Sequence, residues 1–272
     1  MAPAAAHTAQ HAGKPPAPTP PQQEIALNTA TAAHAATSSA APSATRTPRY
    51  DIYAGIHRAL RLFMTDTLGR LSWMDCGDAA ETTAALNQLD SLLVFCRKHL
   101  EHENSFLHTA IEARRPGASQ RVAGEHVEHL EEIAALQAEA ASLRAAPTAP
   151  AALRLYRHLA LFIAENFHHM QVEEGAHNES LWAAYSDTEI MAIEQRLVAT
   201  LDPAEQALVL RWMAPALPPA ERAAWLADAR RQLPPSAFAL VLDAARAALN
   251  DGAWAKLARA LGVPPVPGLV EA

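Results

Sequence analysis

The sequence predicts an all-α protein built on an up-and-down four-helix bundle, and three observations carry that expectation. Between about residues 49 and 185, apolar side chains recur at spacings of three, four or seven, the repeat of one helix face. The interruptions are short and rich in turn residues: Asp75 to Asp78 with Gly77, then Arg115-Pro116-Gly117, then Ala146 to Pro150. Short connections between long helices favour antiparallel neighbours. Every apolar stripe is also broken by histidine at a comparable depth, so all four helices bring polar side chains to one zone of the core.

Taken in order, the first helix is expected at 49–74, with Tyr53, His57, Leu60, Met64 and Leu71 facing inward. The second, at 79–115, presents Leu89, Leu92, Cys96, His99, Glu103, Phe106 and Ala110. The third, at 119–144, presents Val122, His126, His129, Ile133, Leu136 and Ala140, and the fourth, at 149–184, Leu155, Leu159, Phe162, Asn166, His169, Glu173 and Ser180. His168 lies about a hundred degrees from the fourth stripe and points elsewhere.

The chemistry concentrates in two His-x-x-x-Glu repeats, His99 with Glu103 and His169 with Glu173. Positions i and i+4 lie one turn apart on the same helix face, so each repeat offers an imidazole and a carboxylate to one point. His57 precedes His99 by 42 residues and His126 precedes His169 by 43, as though one helical pair had been duplicated. Two facing pairs would supply two nitrogens to each of two metal ions, with Glu103 and Glu173 bridging. Several such groups left buried without partners would each cost roughly 1 to 3 kcal/mol. A shared metal centre removes that difficulty.

These residues resemble the hemerythrin-like (HHE cation-binding) domain family. The resemblance rests on His57, on His99-Leu100-Glu101-His102-Glu103 with Phe106-Leu107-His108, on Glu125-His126, and on His169 to Glu174, and it spans about residues 50–185. It implies two iron ions in a non-haem, carboxylate-bridged centre that binds dioxygen, nitric oxide or peroxide. Imidazole and carboxylate also accept zinc and manganese, so iron itself is implied by the resemblance alone. The oxygen carriers of the family space two histidines four apart on the third helix and place His and Asp five apart on the fourth. Here His126 and His129 are three apart, and His169 and Glu173 four apart. That pattern is more similar to members associated with repair of iron-sulfur clusters under nitrosative or oxidative stress, and it argues against stable oxygen carriage.

The other polar residues have plainer readings beside the functional one. His129 shares the third stripe and is a reserve ligand or a core histidine bonded to its surroundings, because Leu60 stands at the equivalent place in the first helix. His102, His108, His168 and His177 read as outer supports or surface groups, and His158 as solvent-facing. Cys96 reads as a small apolar filler, and Tyr53 either hydrogen-bonds at the site or packs at its rim. A ferritin-like site needs Glu-x-x-His on two helices, whereas Glu165/His168 and Glu174/His177 share one. No zinc-protease motif, phosphate loop or serine elbow occurs.

The flanks carry no motif. Residues 1–48, rich in Ala, Pro and Thr, read as a disordered tail in which His7, His11 and His34 have no role. Residues 186–272 read as an α-helical extension, with a helix at 188–200 capped by Asp187, another from Pro203 to Trp212, and three more after Pro218-Pro219, Pro234-Pro235 and Asn250-Asp251-Gly252. Trp212, Trp225 and Trp254 are its expected anchors. It would cover the bundle's open end, form a small domain, or mediate partner binding or self-association. The net charge of −7 gives no support for nucleic-acid binding through a basic surface, no apolar run suits a membrane, and two cysteines without a signal core suggest the cytoplasm. The expected function is binding or sensing of a small gaseous or peroxide ligand rather than turnover. Iron-sulfur cluster repair or iron donation is one alternative, and a helical interaction module with a structural metal is another.

Overall fold

The computed structural model describes residues 49–265. Among these the chain is all-helical, with nine continuous helical rods and no strand. The expected tail over residues 1–48 and the last seven residues of the expected extension lie outside the described residues.

Helix α1 (Ala54–Trp73) starts later than the periodicity suggested, because the Asp51 carboxylate accepts from the Tyr53 and Ala54 N–H groups and ends the helix there. The preceding residues are held elsewhere. Arg49 donates to the Asp187 carboxylate and to the Trp182 and Tyr185 carbonyls. Helix α2 (Ala79–His102), capped by Asp78, runs through a π-helical turn (Glu103–His108) into α3 (Thr109–Arg114). In the following turn Gly117 adopts φ +86°, a conformation open to glycine, while the Glu112 carboxylate accepts from the Gly117 and Ser119 N–H groups.

Helix α4 (Gln120–Ala145) follows, then α5 (Ala149–Val172), which Thr148 caps and Pro150 starts. A second π turn (Glu173–His177) joins α5 to α6 (Asn178–Ala184). Helix α1 packs on α2 and α5, and α4 packs on the same two, so the four rods surround one core. Leu89, Leu92, Cys96, Ile133, Leu136, Leu159 and Phe162 lie within it, and Cys96 is indeed buried among apolar neighbours.

Both π turns begin on a glutamate of a His-x-x-x-Glu repeat, and they explain where the apolar stripes slip. A π turn takes in one extra residue, so everything beyond it is rotated relative to a straight α-helix. Leu107 and Ile111 are buried where Phe106 and Ala110 were expected, and Leu181 where Ser180 was expected. With Ile52, Tyr53, Ile190 and Ile193 these residues form a second apolar cluster. The polar zone lies between the two clusters along the rods that contain the π turns.

Helix α7 (Asp187–Val198) is capped by Ser186 in a capping box with Glu189, rather than by Asp187, whose carboxylate is engaged by Arg49. Its Ile190 and Ile193 close the second cluster. Helix α8 (Pro203–Ala216) lies along α1 and stacks Trp212 on Phe63 at 4.0 Å between ring centroids. The opposite side of α8 supplies Leu210 and Ala214 to a third cluster with α9 (Pro219–Gln232), α10 (Pro235–Ala248) and α11 (Asp251–Leu261). Trp254 is buried there, whereas Trp225 is only half-buried. The buried Arg222 donates to the Ala214 and Leu217 carbonyls and satisfies the end of α8. Among the described residues, no helix is long and apolar enough to cross a membrane.

Candidate metal centre

Helices α1, α2, α4 and α5, with the first residues of the two π turns, bring His57, His99, Glu103, His126, His169 and Glu173 together. Both glutamates and His57, His126 and His169 are buried, and His99 nearly so. They form two groups that share both carboxylates: His57 and His99 with Glu103 and Glu173, and His126 and His169 with the same two.

The carboxylate oxygens are divided between the groups. Glu103 Oε1 lies 3.1 Å from His99 Nε2 and 3.6 Å from His57 Nε2, while its Oε2 lies 3.5 Å from His126 Nε2. Glu173 mirrors this: its Oε1 is 3.4 Å from His169 Nε2 and 3.6 Å from His126 Nε2, and its Oε2 is 3.5 Å from His57 Nε2. Most of these separations are too long for charge-assisted hydrogen bonds, which fall near 2.7–2.9 Å. All four carboxylate oxygens, with His57 Nε2 and His99 Nε2, are buried without a hydrogen-bond partner. A cation held at about 2.0–2.2 Å from each donor would set neighbouring donors roughly 3.0–3.6 Å apart. The donor set therefore fits a metal ion in each group.

Hydrogen bonds behind the histidines fix the same orientation. His57 Nδ1–H donates to Glu174 Oε1 at 3.0 Å, and Arg61 clamps that carboxylate with two contacts at 2.6 and 3.1 Å. His169 Nδ1–H donates to Glu125 Oε2 at 2.8 Å, with Arg121 on the same carboxylate. His126 Nδ1–H donates to the Asn104 amide oxygen at 2.8 Å. A neutral imidazole that donates through Nδ1 presents a lone pair at Nε2. Yet His126 Nε2 and His169 Nε2 face each other at 3.0 Å. Two lone pairs at that distance require positive charge between or on them.

Without a metal, protons supply it. Burial opposes charge on His57, but Glu103, Glu174 and Glu173 outweigh it and raise the imidazole from 6.5 to about 9. His169 is likewise raised to about 9, by Glu173 and Glu125 against its burial. Burial also opposes ionisation of Glu103 and Glu173, yet the facing histidines hold both below the usual carboxylate range. Protons and metal ions thus compete for one cluster.

Three further histidines surround the six. His129 is buried with its ring 4.7 Å from that of His169 and 6.1 Å from Phe162, and belongs to neither group. Burial and the nearby His169 and His126 lower it to about 4. His108 and His177, expected as outer supports or surface groups, are buried and form with Glu173 a third cluster of potential donors. His108 sits five residues beyond Glu103, a position that only a π turn returns to the same face. His177, four beyond Glu173, continues the series His169, Glu173, His177, and that spacing was the signal that could have found it. His102 reaches outward to Glu205, His158 binds Glu132 and Glu139 at a partly exposed position, and His168 is exposed.

Compared with protein-family models, with curated proteins and with solved structures, the chain matches none.

Proposed function

We propose that this chain is a hemerythrin-like up-and-down four-helix bundle whose centre holds two iron ions and binds or senses a small ligand such as dioxygen, nitric oxide or peroxide. The observation that carries this reading is the division of oxygens: Glu103 and Glu173 each turn one oxygen to each histidine pair. His57 and His99 would hold one ion, His126 and His169 the other, with both carboxylates bridging.

Iron bound there would supply redox-active Lewis-acid chemistry. The chain's own residues do the rest. Glu174 and Glu125 orient His57 and His169 and raise their basicity, and the apolar clusters on either side keep bulk water from the centre. His126, rather than His129, is the ligand from α4, because its Nε2 faces both bridging carboxylates while His129 lies behind His169.

Metal analysis of protein purified with and without air tests the reading, combined with optical spectra before and after dioxygen or nitric oxide is added. The expected result is about two irons per chain and bands that change with the ligand. Metal retained without any spectral response would leave a structural ion and overturn the ligand-binding role.

A further inference from the structure

The third donor cluster differs from the other two in how its nitrogens are set. His108 is 6% and His177 1% exposed, and the Nε2 of each is buried without a hydrogen-bond partner. One ring nitrogen of each histidine and a Glu173 oxygen lie within 4.8 Å of one another. The two rings meet edge to face at 5.1 Å, His108 stacks on the His126 ring at 4.8 Å, and Tyr53 lies 5.0 Å from the His57 ring. Tyr53, His108 and His177 therefore border one histidine of each metal group.

Tyr53 decides the chemistry of His177. Its hydroxyl lies 3.3 Å from His177 Nδ1, which is its hydrogen-bond partner among the described residues. When the phenol donates to Nδ1, the arrangement that leaves no buried hydroxyl proton unpaired, the His177 proton resides on Nε2. This is the reverse of His57, His126 and His169, whose Nδ1–H groups donate and leave Nε2 as the atom turned to a metal. An Nε2–H is a hydrogen-bond donor and a poor metal ligand. A third cation would also crowd Glu173, whose two oxygens already serve both groups.

Resting on the reading of the centre above, we propose that His177, set by Tyr53 and flanked by His108, is the recognition contact for a small anion at the dinuclear centre, donating its Nε2–H to the anion's acceptor atom. A neutral donor buried beside a metal position favours an anion with a free oxygen or nitrogen lone pair over an apolar diatomic.

Azide serves as the probe, in the full-length iron-loaded protein and in His177→Leu, His177→Gln, His108→Leu and Tyr53→Phe. Metal content is measured beside the azide dissociation constant, read from the optical change. The expected result is unchanged metal content in every variant, with azide affinity about tenfold weaker in His177→Leu and partly restored in His177→Gln, which keeps an N–H donor. His108→Leu and Tyr53→Phe weaken it less. In zinc-loaded protein, nitrogen NMR should show the His177 proton on Nε2, and a mixture of tautomers in Tyr53→Phe, a readout independent of His177→Leu folding. Equal azide affinity in wild type and His177→Leu would overturn the proposal. So would a third metal in wild type that His177→Leu loses, which would make the cluster a cation site. A wild-type protein that binds no metal, or shows no response to azide, would overturn the underlying reading as well, and wild type alone reveals that outcome.

Discussion

The two halves of the centre carry the same donors and lean on different neighbours. His57 and His126 occupy matching places, yet His57 is backed by Glu174, a carboxylate that Arg61 clamps, while His126 is backed by the neutral amide of the exposed Asn104. Glu174 and Asn104 are themselves counterparts, each being the residue after a glutamate shared by both groups. On the partner histidines the anionic support appears again at His169, through Glu125. An anionic acceptor raises the basicity of the imidazole it holds more than a neutral one does. Pseudo-symmetry therefore sets where the donors stand, and their outer hydrogen bonds make the two positions unequal.

The largest effect expected concerns what the halves share. Glu173→Ala, or Glu103→Ala, should lose both ions on dialysis, because each carboxylate serves both groups; retention of one ion in metal analysis would refute the shared bridge. His57→Ala and His126→Ala should each deplete one position and leave the other. Loss of both ions from either variant would mean that the positions fill only together.

The outer contacts give a smaller effect. Glu174→Gln should weaken metal binding at the His57 position by roughly 10- to 100-fold in chelator competition, and Asn104→Ala should weaken the His126 position by less. Equal losses would erase the asymmetry. Asn104→Asp should strengthen binding at that position by making its support anionic.

A graded effect comes from pH. His57 and His169 are raised from 6.5 to about 9 in the metal-free fold. Their stabilising charge is fully present below about 6.5 and is lost as pH rises through about 9. Metal binding runs in the opposite sense, since it must displace those protons, and should tighten with pH across the same window. Thermal melts of metal-free protein and zinc competition assays at several pH values check both signs. Metal affinity that is flat with pH would mean that the histidines are neutral before metal binds.

Helix positions were largely legible because their punctuation is local: Asp78, Thr148 with Pro150, and Asp202 with Pro203 stop or start helices through atoms only a few residues away. His57, His99, His126 and His169 were legible as inward-facing for a related reason, since each stands in register with apolar residues on its own helix. His108 was not, because its burial depends on a π turn that a period of 3.6 does not anticipate. The start of α1 was misplaced although its Asp51 stop is local, whereas Asp187 was misread as the cap of α7 because its partner Arg49 is 138 residues away and meets it only in the folded chain.

By itself, the sequence determined that this chain is helical between its breaks and which donors lie on the apolar faces, because helical periodicity and capping act within a turn or two of chain. The tertiary structure alone decided which oxygen of Glu103 and Glu173 faces which histidine, that Glu174 supports His57 across 117 residues, and that the Tyr53 hydroxyl meets His177 Nδ1 across 124. Those choices depend on the separation and rotation of packed helices. A change of one residue per turn, as at Glu103 and Glu173, is enough to alter them.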